Sequence, residues 1–147
     1  MSADGIPNRV RVGVHEAGHS VVSRIVGLPS GEATIKDGEA RSYLTDDHGI
    51  RSILVALAGG CAEKILLGDV VELGCKDDDA KVVRLLAANG FTDTTLTRRA
   101  LADECRDLVR KHRGAIAEVA LQLLIRETLT ADELNDIVGQ TTCTDCA

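Results

Sequence analysis

Aromatic residues are nearly missing from this chain, which has no Trp, one Tyr and one Phe in 147 residues. Leu, Val, Ile and Ala must therefore supply the core, and such side chains pack naturally between helices. Positive charge is short as well. A formal charge of −6 argues against nucleic acid as a partner, because that affinity comes mostly from neutralising phosphates. The longest apolar run, Ile53 to Ala62, falls short of the about 20 residues that cross a bilayer. No Gly-x-x-x-x-Gly-Lys-Ser/Thr phosphate loop occurs in the chain, so it does not hydrolyse ATP by that mechanism. Met1 to Asn8 lacks the charged and apolar regions of a targeting peptide. The five cysteines (Cys61, Cys75, Cys105, Cys143 and Cys146) are odd in number and scattered. They read as reduced thiols, not as a disulfide framework. These absences predict one soluble, cytoplasmic domain over residues 1–147, with a core from about 7 to 138 and a flexible tail over 139–147.

What is present centres on His15-Glu16-Ala17-Gly18-His19. Val10, Val14, Ala17, Val21 and Ile25 recur at helical spacing, so the pattern predicts a helix that opens near Pro7 and ends at Gly27. On a helix, residues four apart lie about 40° apart around the axis and about 6 Å apart along it. Both imidazoles then face one side and can hold one metal ion, with Glu16 beside them to handle a water proton. Gly18 is a poor helix former, and close approach of another backbone would explain it.

Downstream, Ala33 to Asp37 and Ala40 to Thr45, parted by Gly38, predict a hairpin whose edge could take a peptide as an added strand. A second helix runs to about Leu67, capped by Asp46 or Asp47 and closed by Gly68. It is apolar nearly all round, as a central buried helix would be, and Gly59-Gly60 would allow close packing. A third helix starts at Asp77-Asp78-Asp79 after a turn at Gly74 and ends by Gly90. A long helical stretch from Thr94 or Thr95 to Glu127 bends near His112. Thr130-Ala-Asp-Glu133 is a capping box for a short last helix. The fold class is mainly α, with five to six helices and a small β-hairpin beside the first helix.

A catalytic zinc site keeps three protein ligands and leaves a position open. The metzincin extension would put Gly and His where Val22 and Ile25 stand, which excludes that branch. Glu63 on the central helix and the run Asp77-Asp78-Asp79 both remain candidates for the third ligand.

His15-Glu-Ala-Gly-His-Ser-Val-Val22 resembles the zinc helix in the peptidase domain of FtsH-type ATP-dependent proteases (peptidase family M41). Further similarities follow in order at Ala58 to Gly68, Gly74 to Asp78, and Leu124 to Leu134. The resemblance implies a helical zinc metalloendopeptidase with His15, His19 and Asp78 as ligands and Glu16 as the catalytic base. It implies unfolded proteins or peptides as substrates, a separate ATPase as a partner, and the possibility of a homo-oligomer, since relatives form six-fold rings. The alternative on the same fold is a non-proteolytic zinc-binding or regulatory module, because the motor that feeds such proteases is missing from the chain. The pattern departs from the family where an arginine after Gly59-Gly60 is deleted, where Cys75 replaces alanine, and where Asp79 replaces an apolar residue. Cys143-Thr-Asp-Cys146 reads as incidental, and His48 and His112 as surface residues.

Overall fold

The computed structural model describes residues 5–28, 30–38, 40–44, 49–68, 76–91 and 94–145. Among them lie six α-helices: α1 (Asn8–Ile25), α2 (Ile50–Leu67), α3 (Lys76–Ala88), α4 (Thr94–Lys111), α5 (Arg113–Arg126) and α6 (Ala131–Asp145). Three short strands, β1 (Ser30–Thr34), β2 (Arg41–Leu44) and β3 (Thr128–Leu129), form an antiparallel sheet in the order β2-β1-β3. The architecture is mainly α, as composition and periodicity predict.

Helix α2 is the hub. Ser52 to Ala58, with the exception of Leu57, is buried, as are Gly59, Ala62 and Glu63, and the helix packs against α1, α3, α4 and α5. Val14, Ala17, Val21 and Val22 of α1 meet Ile53, Ala58 and Ala62 of α2 in one aliphatic core. Val82, Leu85 and Leu86 of α3, Val109 of α4, and Ile116, Val119 and Leu123 of α5 extend it. Gly68 closes α2 in the left-handed region at φ 91°, where the missing Cβ removes the steric penalty.

The α1–α2 contact is unusually close. A Cβ on Gly18 would lie 2.6 Å from the Ala58 carbonyl oxygen and 2.8 Å from the Ala62 Cβ. The glycine inside the motif is therefore what lets the two helices meet backbone to backbone, as the sequence predicts.

Several details differ from the sequence reading. The expected hairpin is two strands of a three-stranded sheet, because Ala33 and Thr34 of β1 also pair with Leu129 and Thr128 of β3. A two-residue strand carries no detectable period. The N-cap of α2 is Gly49, not Asp46 or Asp47, which lie outside the described residues along with His48, Gly74 and Cys75. The capping box holds, with the Thr130 hydroxyl accepting from the Glu133 N–H and Glu133 accepting from the Thr130 N–H, both at 3.2 Å. Yet α6 is not short, since it continues to Asp145 through the stretch expected to be a frayed tail. Thr141 is accommodated there by a hydroxyl bond back to the Ile137 carbonyl at 2.8 Å. The side chains of Cys143 and Cys146 lie outside the described residues. His112 is buried, not superficial, with 6% exposure. It occupies the junction of α4 and α5, where its backbone serves both helices.

Candidate metal centre

Helix α1 places His15 and His19 on the face turned toward α2, and each ring is fixed through its Nδ1. The His15 Nδ1–H donates to Glu63 Oε2 at 2.7 Å, and the His19 Nδ1–H donates to the Val55 carbonyl at 2.7 Å. Both acceptors belong to α2. Such partners set the tautomer of a ligating imidazole and leave the other nitrogen with its lone pair.

The two Nε2 atoms lie 3.0 Å apart, and Asp78 Oδ2 lies 2.8 Å from His15 Nε2 and 3.1 Å from His19 Nε2. The three candidate ligands predicted from the sequence are thus brought together, although Asp78 is 63 residues from His15. Side-chain exposure is 12% for His15, 6% for His19 and 27% for Asp78, so the cluster opens to solvent beside the carboxylate. Burial pushes the Asp78 carboxyl up, but when the two imidazoles are also protonated on Nε2 their hydrogen bonds and charge outweigh it and hold the group well below the usual carboxylate range.

This donor set fits a metal cation. With both Nδ1 atoms acting as donors, neutral rings bring two nitrogen lone pairs and a carboxylate oxygen into mutual contact with no proton among them. Protonating both rings instead would place two imidazolium ions 3.0 Å apart in a mostly dry setting, which costs more than one shared divalent ion. Tetrahedral zinc with bonds of about 2.0–2.1 Å separates its ligands by about 3.3 Å. Accommodation therefore asks for shifts of only a few tenths of an ångström.

The acidic run divides its labour. Asp78 joins the cluster, Asp79 forms an ion pair with Arg98 of α4 at 2.7 Å, and Asp77 is exposed. Glu63, the other candidate ligand, lies behind His15 and not on its Nε2 side. It also sits 3.5 Å from Arg11, with both side chains buried. It is an orienting carboxylate, and its position in an apolar helix beside Lys64 was the only signal for it in the sequence. Replacing Glu63 with Gln should lower zinc affinity about 10- to 100-fold while leaving the helical content intact, as competition with a chromogenic chelator would report.

Glu16 is buried, and its Oε2 accepts a 2.6 Å hydrogen bond from the Ser42 hydroxyl of β2. Ser42 is itself 3.2 Å from the Ser20 hydroxyl of α1. Nothing in the local sequence marks Ser42, because the contact depends on how the sheet lies against α1. Gly59 is a further residue whose role emerges only in three dimensions. A Cβ there would stand 2.5 Å from His15 Nε2, so the imidazole occupies the space this glycine leaves.

The chain is 32% identical over 124 residues to the ATP-dependent zinc metalloprotease FtsH 1 of Alkaliphilus metalliredigens (strain QYMF). That match covers 65% of this chain and 21% of the relative, so the chain spans about a fifth of the length of the protein it resembles. No family model matches. Among the described residues, no helix is long and apolar enough to cross a membrane.

Proposed function

We propose that this chain is a zinc-dependent metalloendopeptidase domain of the M41 type, acting on unfolded proteins or peptides. The observation that carries the proposal is the convergence of His15, His19 and Asp78 within 3.1 Å on the helix that also bears a buried Glu16. When bound, zinc supplies Lewis acidity, polarising the scissile carbonyl and lowering the pKa of a water to about 7. His15, His19 and Asp78 hold the ion, and Glu63 and the Val55 carbonyl keep the two rings turned toward it. Glu16 serves as general base and then general acid. Ser42 holds its Oε2, which leaves Oε1 to take the proton from the attacking water and return it to the departing amine. Strand β2 lies at the edge of the sheet and carries Ser42, so an extended peptide paired along it would pass beside the base. The resemblance to an ATP-dependent zinc metalloprotease supports protein substrates and an ATPase as partner.

Casein or another loosely folded protein should be cleaved, the cleavage should stop with a chelator, and zinc should restore it. Stable folds should resist. Zinc bound without cleavage of any unfolded substrate would instead make the chain a regulatory module. The ligand assignment is tested by Asp78→Asn, expected to lose zinc that Asp77→Asn retains. If metal content follows Asp77 or Glu63 instead, Asp78 is not the third ligand.

A further inference from the structure

A second concentration of charge lies where the end of α2 meets α4 and the start of α5. A cavity of about 440 Å³ is lined there by Lys64, Ile65, Gly68, Arg106, Arg110 and Arg113. Four of these six described residues are cations and none of the six is an acid, on a chain whose formal charge is −6. Arg106 pairs with Asp103, and Arg110 lies 3.7 Å from Asp107, but neither carboxylate lines the cavity.

Part of this charge has an ordinary explanation. Lys64 and Arg110 stand in the last turns of α2 and α4, where a cation offsets the negative end of the helix dipole. Arg113 has no such role. It opens α5, a helix with no acid in its first turn and no side-chain cap from His112, so it adds charge at an already positive helix end. Arg106 sits one turn before Arg110 and faces the same cavity. The field is felt nearby at Cys61, whose thiol is held below its ordinary value by a hydrogen bond with Cys105 and by the charges of Arg106 and Lys64, against the effect of burial.

We propose that this cavity binds a compact oligophosphate, the phosphate chain of a small ligand, through Lys64, Arg106, Arg110 and Arg113. The forked guanidinium groups suit bidentate contact with phosphate oxygens. The volume lies in the range of small-molecule sites, whereas an extended polyanion would also meet the acidic remainder of the surface. Among the described residues no aromatic side chain lines the cavity, so recognition falls to the phosphates. The proposal does not depend on the metallopeptidase reading.

Isothermal titration of the full chain with sodium tripolyphosphate at near-physiological salt should show one saturable site, with a dissociation constant below about 100 μM. ATP binding with similar affinity would identify the phosphate chain as the part recognised, and much tighter ATP binding would identify a nucleotide as its source. The double variant Arg106→Gln/Arg113→Gln should weaken tripolyphosphate binding at least about 10-fold with zinc content and melting temperature unchanged, and Lys64→Gln alone should weaken it less. Zinc chelation by the ligand would give the same heat in wild type and variants. An undiminished affinity in the double variant, no saturation by about 1 mM, or tighter binding of a hexaglutamate peptide would each overturn the proposal.

Discussion

Glu16→Gln should bind zinc as the wild type does and lose about 10²- to 10⁴-fold in peptide hydrolysis. The two side chains have nearly the same shape, and Gln can still meet the Ser42 hydroxyl, which stands 2.6 Å from Oε2. What the amide cannot do is take up the water proton. None of the three atoms that would hold the ion belongs to Glu16, so metal content should be preserved while turnover collapses. Zinc analysis run alongside peptide cleavage checks both halves. Wild-type turnover in this variant would remove Glu16 from the role of base, and loss of zinc would move it into the ligand set.

Gly18→Ala and Gly59→Ala should fail in two distinguishable ways. At Gly18 the added methyl meets the Ala58 carbonyl oxygen at 2.6 Å and the Ala62 Cβ at 2.8 Å. Neither can rotate away, so α1 and α2 must separate and their shared core must loosen. The expected cost is about 1–3 kcal/mol, or a drop of about 2–12 °C in melting temperature for a domain of this size. At Gly59 the methyl meets the His15 ring, with Nε2 at 2.5 Å. A ring can turn, but only by giving up its 2.7 Å bond to Glu63 and its approach to Asp78. Gly59→Ala should therefore lose most of its zinc affinity with a smaller thermal penalty. Thermal melts and zinc titrations on both variants separate the effects, and a Gly59→Ala protein with wild-type affinity would show that His15 is not confined as described.

The contrast between these glycines shows where sequence reasoning reaches and where it stops. Gly18 was legible because it breaks helix propensity inside an otherwise regular amphipathic stretch, which demands a packing reason. The helical class, the central burial of α2, the break at His112 and the Thr130 capping box were legible for the same reason, since each is a local pattern of period or cap. The His15 and His19 pair was legible because i, i+4 spacing fixes geometry within one helix. Asp78 was not fixed by any such pattern. Glu63 is a second candidate on the residues alone, the family resemblance favours Asp78, and the structure puts Glu63 behind His15. Ser42 and β3 carry no local signal, and His112 reads as a surface residue when it is buried, because all three depend on segments distant in the chain. The cationic cavity escaped too, because Lys64, Arg106, Arg110 and Arg113 are unremarkable surface charges until three helices bring them together.

The 63-residue separation between His15 and Asp78 has a consequence for the unfolded chain as well as for the site. An ion held by both would cross-link α1 to the start of α3 and close a long loop that includes β1, β2 and α2. Such a clasp restricts the denatured ensemble much as a disulfide would, and long loops gain most from closure. Two of its three anchors are preset on α1 by partners from α2, and the third arrives on a different helix. Chelation would then free the start of α3 at Asp78, while Val82, Leu85 and Leu86 keep the rest of that helix in the core.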